Sequence, residues 1–486
     1  MSRADLISLL PEMILCGGGI LILLLEAIGP ALRRAFTALA LLTVGLAVWG
    51  AWMAWSATGS ADTVLTCNGL LETSGVTYAL TLVILLATGL CLLASQGYLR
   101  RERILAGEYH ALLLWCAVGL LLMLRATELL TVFLSLELLS LCLYCLAAFH
   151  RRLTVGTEAA IKYFLMGAFV SAFVLYGIAL VFGATHSTRF SGIAESIAAM
   201  SSVPPTLSLG VLMLVAGFGF KMSVVPFHAW SPDTYQGAPS PFVAFLSVAP
   251  KVASALVLWR LLDVVAGAGV PGVAAKWSGV VAVLSVLSML AGNLLALVQS
   301  DIKRMLAYSG IAHMGYLLLA LVTMDRASLM PVIVYLLAYV LMNAGAFTVI
   351  GMLYDKPNEQ HLISDLSGWG YRYPLLGGCL AVCMLSLGGI PSTIGFIGKY
   401  VVFLNAVGDG LVGLAILGVL ASLIGVFYYL RVVYVLFMQP EEKQPEGLLI
   451  DGWGRAAAVL AALGTLVLGL WPNGILQWLL EATASK

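Results

Sequence analysis

Four charged side chains stand where the surrounding sequence is otherwise apolar: Glu137 in LSLELLSL, Lys221 in GFGFKMSVVPF, Lys251 in SVAPKVAS and Lys399 in GFIGKYVVF. A charge at the centre of a bilayer costs about 2.5–3.5 kcal/mol on insertion scales, so four unpaired ones would cost roughly 10 kcal/mol or more. Leucine would pack such positions without that cost. The chemistry these residues suggest is proton transfer. A lysine removed from water gives up its proton more readily, and an approaching carboxylate lets it hold that proton again. Glu137 is the expected counter-charge for Lys221, and Lys251 with His313, in SGIAHMGY, would relay protons toward Lys399. The competing reading is a set of static ion pairs that fix helix register.

Other polar groups carry less specific signals. His228, in VPFHAW, either lines a cytoplasmic mouth or caps carbonyls freed at Pro226. Lys162 follows Glu158 by four residues, an i, i+4 pair near a helix start and an accessory candidate at most. Arg260 and Arg431 are expected to snorkel to a membrane face, and Glu26 has no assigned role. The eight cysteines sit in apolar runs; Cys142-x-x-Cys145 lacks a second pair at ligand spacing and reads as packing, so no metal site is expected. No P-loop, dinucleotide fingerprint or HExxH occurs, and GFIGKY lacks both the spacing and the Ser/Thr of a Walker loop. The chain should move something rather than make or break bonds.

The elements that must hold these groups are membrane helices. Of 486 residues 61% are hydrophobic and only 10% charged, which excludes a water-soluble enzyme, and a net charge of +1 removes the electrostatic case for nucleic acid. A span needs about 20 apolar residues. Fourteen runs qualify: 6–28, 35–56, 75–96, 109–125, 127–149, 158–183, 206–229, 241–263, 277–298, 303–323, 330–353, 374–407, 411–437 and 454–473. The first has no strongly basic n-region and reads as a span rather than a cleaved signal peptide. Pro226 and Pro391 should break their helices, which is tolerated at membrane depth only where the freed backbone is buried in protein or lines a wet cavity.

Basic residues in the connections set orientation. Thirteen gather on one side (Arg33, Arg34, Arg100, Arg101, Arg103, Arg151, Arg152, Lys303, Arg304, Lys356, Arg372, Lys443 and Arg455) and six on the other (Arg3, Arg125, Arg189, Lys276, Arg326 and Lys486). The thirteen mark the cytoplasmic face and put both termini outside. A weak repeat pairs GFGFK ending at Lys221 with GFIGK ending at Lys399, 178 residues apart, and Glu137 with His313, 176 apart. Five helices per unit is an odd number, so the second copy would enter from the opposite side. The expected fold is therefore an all-α polytopic membrane protein of about fourteen helices. It would hold two inverted five-helix repeats, each with a broken helix. The expected divisions are a three-helix segment 1–105, repeats 106–265 and 266–438, and a last helix in 439–486.

LSLELLSL, GFGFKMSVVPFHAWSPDTYQGAPSP from Gly217, IKRMLAYSGIAHMGYLLLAL from Ile302 and GIPSTIGFIGKY through Lys399 closely resemble the antiporter-like subunits of respiratory complex I. Those subunits are relatives of the multi-subunit cation/proton antiporters. WSPDTYQGAP and Lys399 resemble the N branch, whereas M-type members resemble a pattern with Glu at the second broken helix. The resemblance implies two half-channels, with Glu137 and Lys221 as the family's glutamate–lysine pair, Lys251 as the connecting lysine and Lys399 as the lysine of the second broken helix. It further implies no cofactor in this chain, with NADH, FMN, iron–sulfur clusters and quinone in partner subunits. The implied neighbours are an M-type subunit and small membrane subunits, in an energy-transducing, bacterial inner membrane. Pro250, directly before Lys251, departs from the pattern and puts the local helix geometry in question. The alternatives are a cation/proton antiporter subunit, a solute carrier and an inert spacer.

Overall fold

The computed structural model describes residues 3–57, 63–150, 154–353, 361–440 and 450–484; Arg151, Arg152, Lys356, Lys443 and Lys486, used above for orientation, lie outside them. The N-terminal part comprises α1 (Arg3–Ser8), α2 (Leu10–Ile28), α3 (Phe36–Ser56), β1 (Val64–Thr66), β2 (Leu71–Thr73) and α4 (Gly75–Arg101). Next come α5 (Gly107–Arg125), α6 (Leu129–Ala147), α7 (Thr154–Thr185), α8 (Phe190–Ala198), α9 (Pro205–Met222), α10 (Trp230–Gly237), α11 (Ser240–Leu246) and α12 (Ala249–Ala266). They are followed by α13 (Val273–Leu297), α14 (Ile302–Ala320), α15 (Leu329–Leu353), α16 (Trp369–Arg372), α17 (Pro374–Gly388) and α18 (Ile394–Gly408). The last are α19 (Val412–Met438), α20 (Gly452–Leu470) and α21 (Asn473–Ala484).

Twelve helical spans among the described residues are long and apolar enough to cross a membrane, against fourteen apolar runs in the sequence. Two runs account for the difference. Helix α14 begins Ile-Lys-Arg and carries His313, which makes it too polar to count. Run 374–407 is divided into α17 and α18, fifteen residues each and individually short of a span.

Helix ends explain the interruptions. After Met222 the chain turns through Ser223 in the left-handed region (φ 62°), with Ser223 N–H donating to Phe220 O and Val224 N–H to Gly219 O. Gly389 (φ 82°) ends α17 in the same way, with its N–H on Ser386 O and that of Ile390 on Leu385 O. Both are the paired bonds of a Schellman closure. A further interruption falls inside run 241–263, between α11 and α12. Pro250 occupies the first turn of α12, where its missing N–H leaves no helical bond unmade. That geometry accounts for a proline beside a deep lysine.

The all-α expectation needs one correction. Strands β1 and β2 pair antiparallel, Val64 with Thr73 through Thr66 with Leu71. They are joined through Cys67, Asn68 and Gly69, all at positive φ; Asn-Gly is a strong short-range hairpin signal. The hairpin collects arginines. Arg125 donates to Glu72 O (3.2 Å) and Arg189 to Asn68 O (3.3 Å), while Arg260 forms an ion pair with Glu72 and donates to Ala126 O (2.9 Å). Arg260 is thus buried and paired rather than snorkelling. Arg431 is half-buried and donates to the carbonyls of Leu297 (3.2 Å) and Gln299, at and just beyond the end of α13.

Burial decides which helices are central. The span Ser240–Ala266 is 100% buried and that containing α15 is 94% buried, whereas Leu10–Ile28 and Thr154–Thr185 are only 28% buried. Helices α11, α12, α14 and α15 are buried on nearly all sides, and α5, 78% buried, packs against α12. At the edge of this core Arg125 donates to Glu12 Oε1 (2.6 Å), Ser8 O (2.7 Å) and Thr73 Oγ1 (3.1 Å). Arg125→Ala would leave the Glu12 carboxylate buried without its cation. The expected loss is about 3–5 kcal/mol, measured as a lower unfolding midpoint of the detergent-solubilised protein.

Candidate functional site

Lys221 lies in the last turn of α9, directly before the Schellman closure, and is 3% exposed. Its Nζ donates to Ser140 Oγ at 2.8 Å and lies 5.6 Å and 5.8 Å from the ring centres of Tyr144 and Tyr163. Glu137 and Ser140 sit one turn apart on α6, so the carboxylate is close enough to act on Lys221 electrostatically without forming an ion pair with it. Lys221 thus bonds a hydroxyl, with the carboxylate one turn away along α6. Glu137 Oε1 is buried and has no hydrogen-bond partner among the described residues.

Lys251 is 1% exposed, in the first turn of α12. Its Nζ donates to the hydroxyl of Tyr339 (3.1 Å), which also accepts from Asn343 Nδ2 (3.3 Å). Gly310 makes room for this pair, because a Cβ there would stand 2.8 Å from Tyr339 Oη and 3.0 Å from Lys251 Nζ. His313, three residues on, is gripped from both sides: Nδ1 with Tyr335 Oη (2.6 Å) and Nε2 with Tyr429 Oη (3.1 Å). Tyr335, Tyr339 and Asn343 follow one another at four-residue spacing along α15 and so share a face. The His313 ring lies within electrostatic reach of both Lys251 and Lys399.

Lys399 lies on α18, beyond its interruption, whereas Lys221 precedes its own. The two lysines thus flank their breaks from opposite sides. Lys399 Nζ reaches back to the carbonyls of Leu387 (3.0 Å) and Gly388 (3.1 Å) and to Ser422 Oγ (2.9 Å). It thereby satisfies carbonyls freed where α17 ends. The first break is closed differently, since Trp230 Nε1 donates to Phe220 O (2.8 Å). His228 is half-buried nearby, with Nδ1 lacking a hydrogen-bond partner among the described residues. Pro226 and Pro391 are exposed at the two turns. Lys399 and Ser422 floor an otherwise mostly apolar groove of about 630 Å³ between α18 and α19.

Tyrosines join these stations. Tyr163 stacks on Trp230 (4.8 Å), whose ring meets that of Tyr235 edge-on (6.1 Å). The Tyr235 hydroxyl is buried and lies within electrostatic reach of both Tyr163 and Tyr339. Ring contacts thus run from Lys221 over Tyr163 and Trp230 to Tyr235, whose hydroxyl, like that of Tyr163, has no hydrogen-bond partner among the described residues. The sequence signal for the tyrosines is their placement in otherwise apolar helices.

A second network lies at the start of α14. Lys162 pairs with Glu158 (2.8 Å) and also with Asp233 (3.2 Å), which accepts from Arg304 (2.7 Å). Burial pushes the Asp233 carboxyl up, but the bonds from Arg304 and Lys162 outweigh it and hold the group below the ordinary carboxylate range. Gln236 continues the network to Asp301 (3.2 Å), the N-cap of α14. Lys303, counted above as an orienting surface charge, is 2% exposed and donates to Ala238 O (2.8 Å). Among the described residues no group of His, Cys, Asp and Glu could hold a metal ion.

Comparison with known proteins gives consistent matches. A family model described as "NADH:quinone oxidoreductase/Mrp antiporter, TM" matches residues 126–425. The NADH-quinone oxidoreductase subunit N of Trichlorobacter lovleyi is 39% identical over 475 residues, 98% of this chain and 96% of that protein. A chain of respiratory complex I from Thermus thermophilus with bound Aureothin superposes with TM-score 0.81 at 34% identity, covering 96% of this chain and 98% of that one. A chain of the Mrp complex from Dietzia sp. DQ12-45-1b gives TM-score 0.85 at 20% identity, covering 100% and 97%, a likeness of fold alone.

The lysine–hydroxyl pairing has a measurable consequence. Ser140→Ala removes the oxygen acceptor of Lys221, an expected loss of about 1.5–3 kcal/mol, whereas Ser140→Thr keeps the oxygen and most of the stability. Denaturant unfolding of the two variants in detergent tests the difference.

Proposed function

Since the chain belongs to the NADH-quinone oxidoreductase subunit N family, within the wider NADH:quinone oxidoreductase/Mrp antiporter membrane family, we propose that it carries protons across the membrane along the buried line from Lys221 through Lys251 and His313 to Lys399. The single observation that carries this reading is that all three deep lysines are bonded to hydroxyls. A hydroxyl accepts from an ammonium and can donate to an amine; Ser140, whose O–H is held by Leu136 O (2.6 Å), must turn from that carbonyl to do so. Glu137 supplies the negative charge that favours the protonated form of Lys221. His228 lines the inner mouth of the first break, and Lys162 with Glu158 steadies that mouth through Asp233.

In this reading the interruptions after Met222 and Gly388 are the broken helices of two inverted five-helix units, 106–265 and 266–438. Each unit contributes a half-channel, and 1–105 and 439–486 pack around them. The chain itself does no redox chemistry. NADH, FMN, iron–sulfur clusters and quinone belong to partner subunits, and quinone reduction there shifts charge along the line. The thirteen-residue basic set faces the cytoplasm of a bacterial inner membrane, with both termini outside.

Helix α6 supports assembly with neighbours. Glu137 shares a stripe with exposed Leu130, Leu134 and Leu141. A carboxylate on an outward face at membrane depth calls for a protein neighbour rather than lipid; an M-type subunit and small membrane subunits are the proposed ones.

In the assembled complex, Lys221→Ala should depress quinone-coupled proton pumping while the complex still forms. Proteoliposomes loaded with a pH dye measure it, and full pumping by that variant would overturn the relay. Purification in mild detergent separates the alternative: flavin and iron–sulfur subunits should co-isolate, whereas sodium/proton exchange by a complex lacking them would instead indicate a cation/proton antiporter subunit.

A further inference from the structure

We infer that Ser422 is the group through which Lys399 gains and loses its proton, an inference that rests on the relay proposed above. An ammonium has three N–H donors and no acceptor. Around Lys399 Nζ stand three oxygens within hydrogen-bond distance: Leu387 O, Gly388 O and Ser422 Oγ. When the proton leaves, two N–H bonds and one lone pair remain. The two carbonyls can only accept, so they retain the two N–H bonds, and the lone pair faces the one neighbour able to donate back. That neighbour is Ser422. The backbone at the end of α17 therefore selects which proton Lys399 releases.

Ser422 is placed to pass that proton on. It lies half-buried on α19, and Lys399 Nζ, which it bonds, stands 5.3 Å from the ring centre of Tyr316, whose hydroxyl accepts from Asn293 Nδ2 (2.9 Å). Tyr316 is three residues from His313, with the rings edge-on at 5.9 Å. In the transfer the Nζ–H bond aimed at Ser422 breaks as a new Oγ–H bond forms. The serine's own proton leaves on its other side to a water molecule in the groove that Lys399 and Ser422 both line. One proton moves and the serine stays neutral throughout; the reverse sequence reloads Lys399.

The test uses the whole assembled complex in proteoliposomes, with proton uptake and NADH oxidation followed together. Ser422→Ala should lower protons moved per NADH by about tenfold, short of the roughly 10²–10⁴ of a positioned proton-transfer group because water can occupy the space. The pH profile of pumping should shift with it. Ser422→Thr should restore both, and Ser422→Val, of the same shape without the hydroxyl, should not. Equal pumping by the Thr and Val variants overturns the inference, and that pair decides it even if the alanine variant fails to assemble. Lys399→Ala separates the two levels. If Lys399→Ala pumps fully, the relay itself falls; if it is impaired while Ser422→Val pumps fully, only the role of Ser422 falls.

Discussion

The organising constraint is that a cation buried in the bilayer must have a partner that does not fix its charge. A carboxylate in direct contact would hold a lysine charged, and an apolar wall would strip its proton. Hydroxyls from Ser140, Tyr339 and Ser422 do neither. Each accepts from the ammonium and can donate to the amine, so the energetic difference between the two states is left to more distant charges. Glu137, one turn from Ser140 on α6, is such a charge. Direct ion pairs occur instead where nothing need move: Arg125 with Glu12, Arg260 with Glu72 and Arg304 with Asp233.

The two helix interruptions share a backbone solution and differ in how their carbonyls are satisfied. Both end in a Schellman closure, at Ser223 and at Gly389. At the first, the Trp230 indole takes up Phe220 O and leaves Lys221 free to turn toward α6. At the second, Lys399 itself bonds the exposed carbonyls. Lys399 is therefore bonded to the end of α17, while Lys221 is bonded to a neighbouring helix.

What the sequence discloses follows from what counts as anomalous within an apolar run. A charge at Glu137, Lys221, Lys251 or Lys399 has no packing rationale and is visible at once. So are Pro226 and Pro391, because proline has few comfortable places inside a span. The hydroxyl partners are different. Serine and tyrosine are cheap in membrane helices, and nothing about Ser422 by itself says that Lys399, twenty-three residues earlier, bends back to it. Arg260 looks like a snorkelling residue because its partner Glu72 lies 188 residues away in a short hairpin. Lys303 looks like a surface charge because its position near a helix end does not reveal that α10 and the start of α11 cover it. Long-range closure, rather than local propensity, is the part that spacing leaves open.

The stripe on α6 bears on the life of the chain before assembly. Glu137 stands among Leu130, Leu134 and Leu141, on a surface an isolated copy would present to acyl chains. Until a neighbour covers it, that carboxylate must take up a proton or draw headgroups and water inward, either of which raises the energy of the orphan protein.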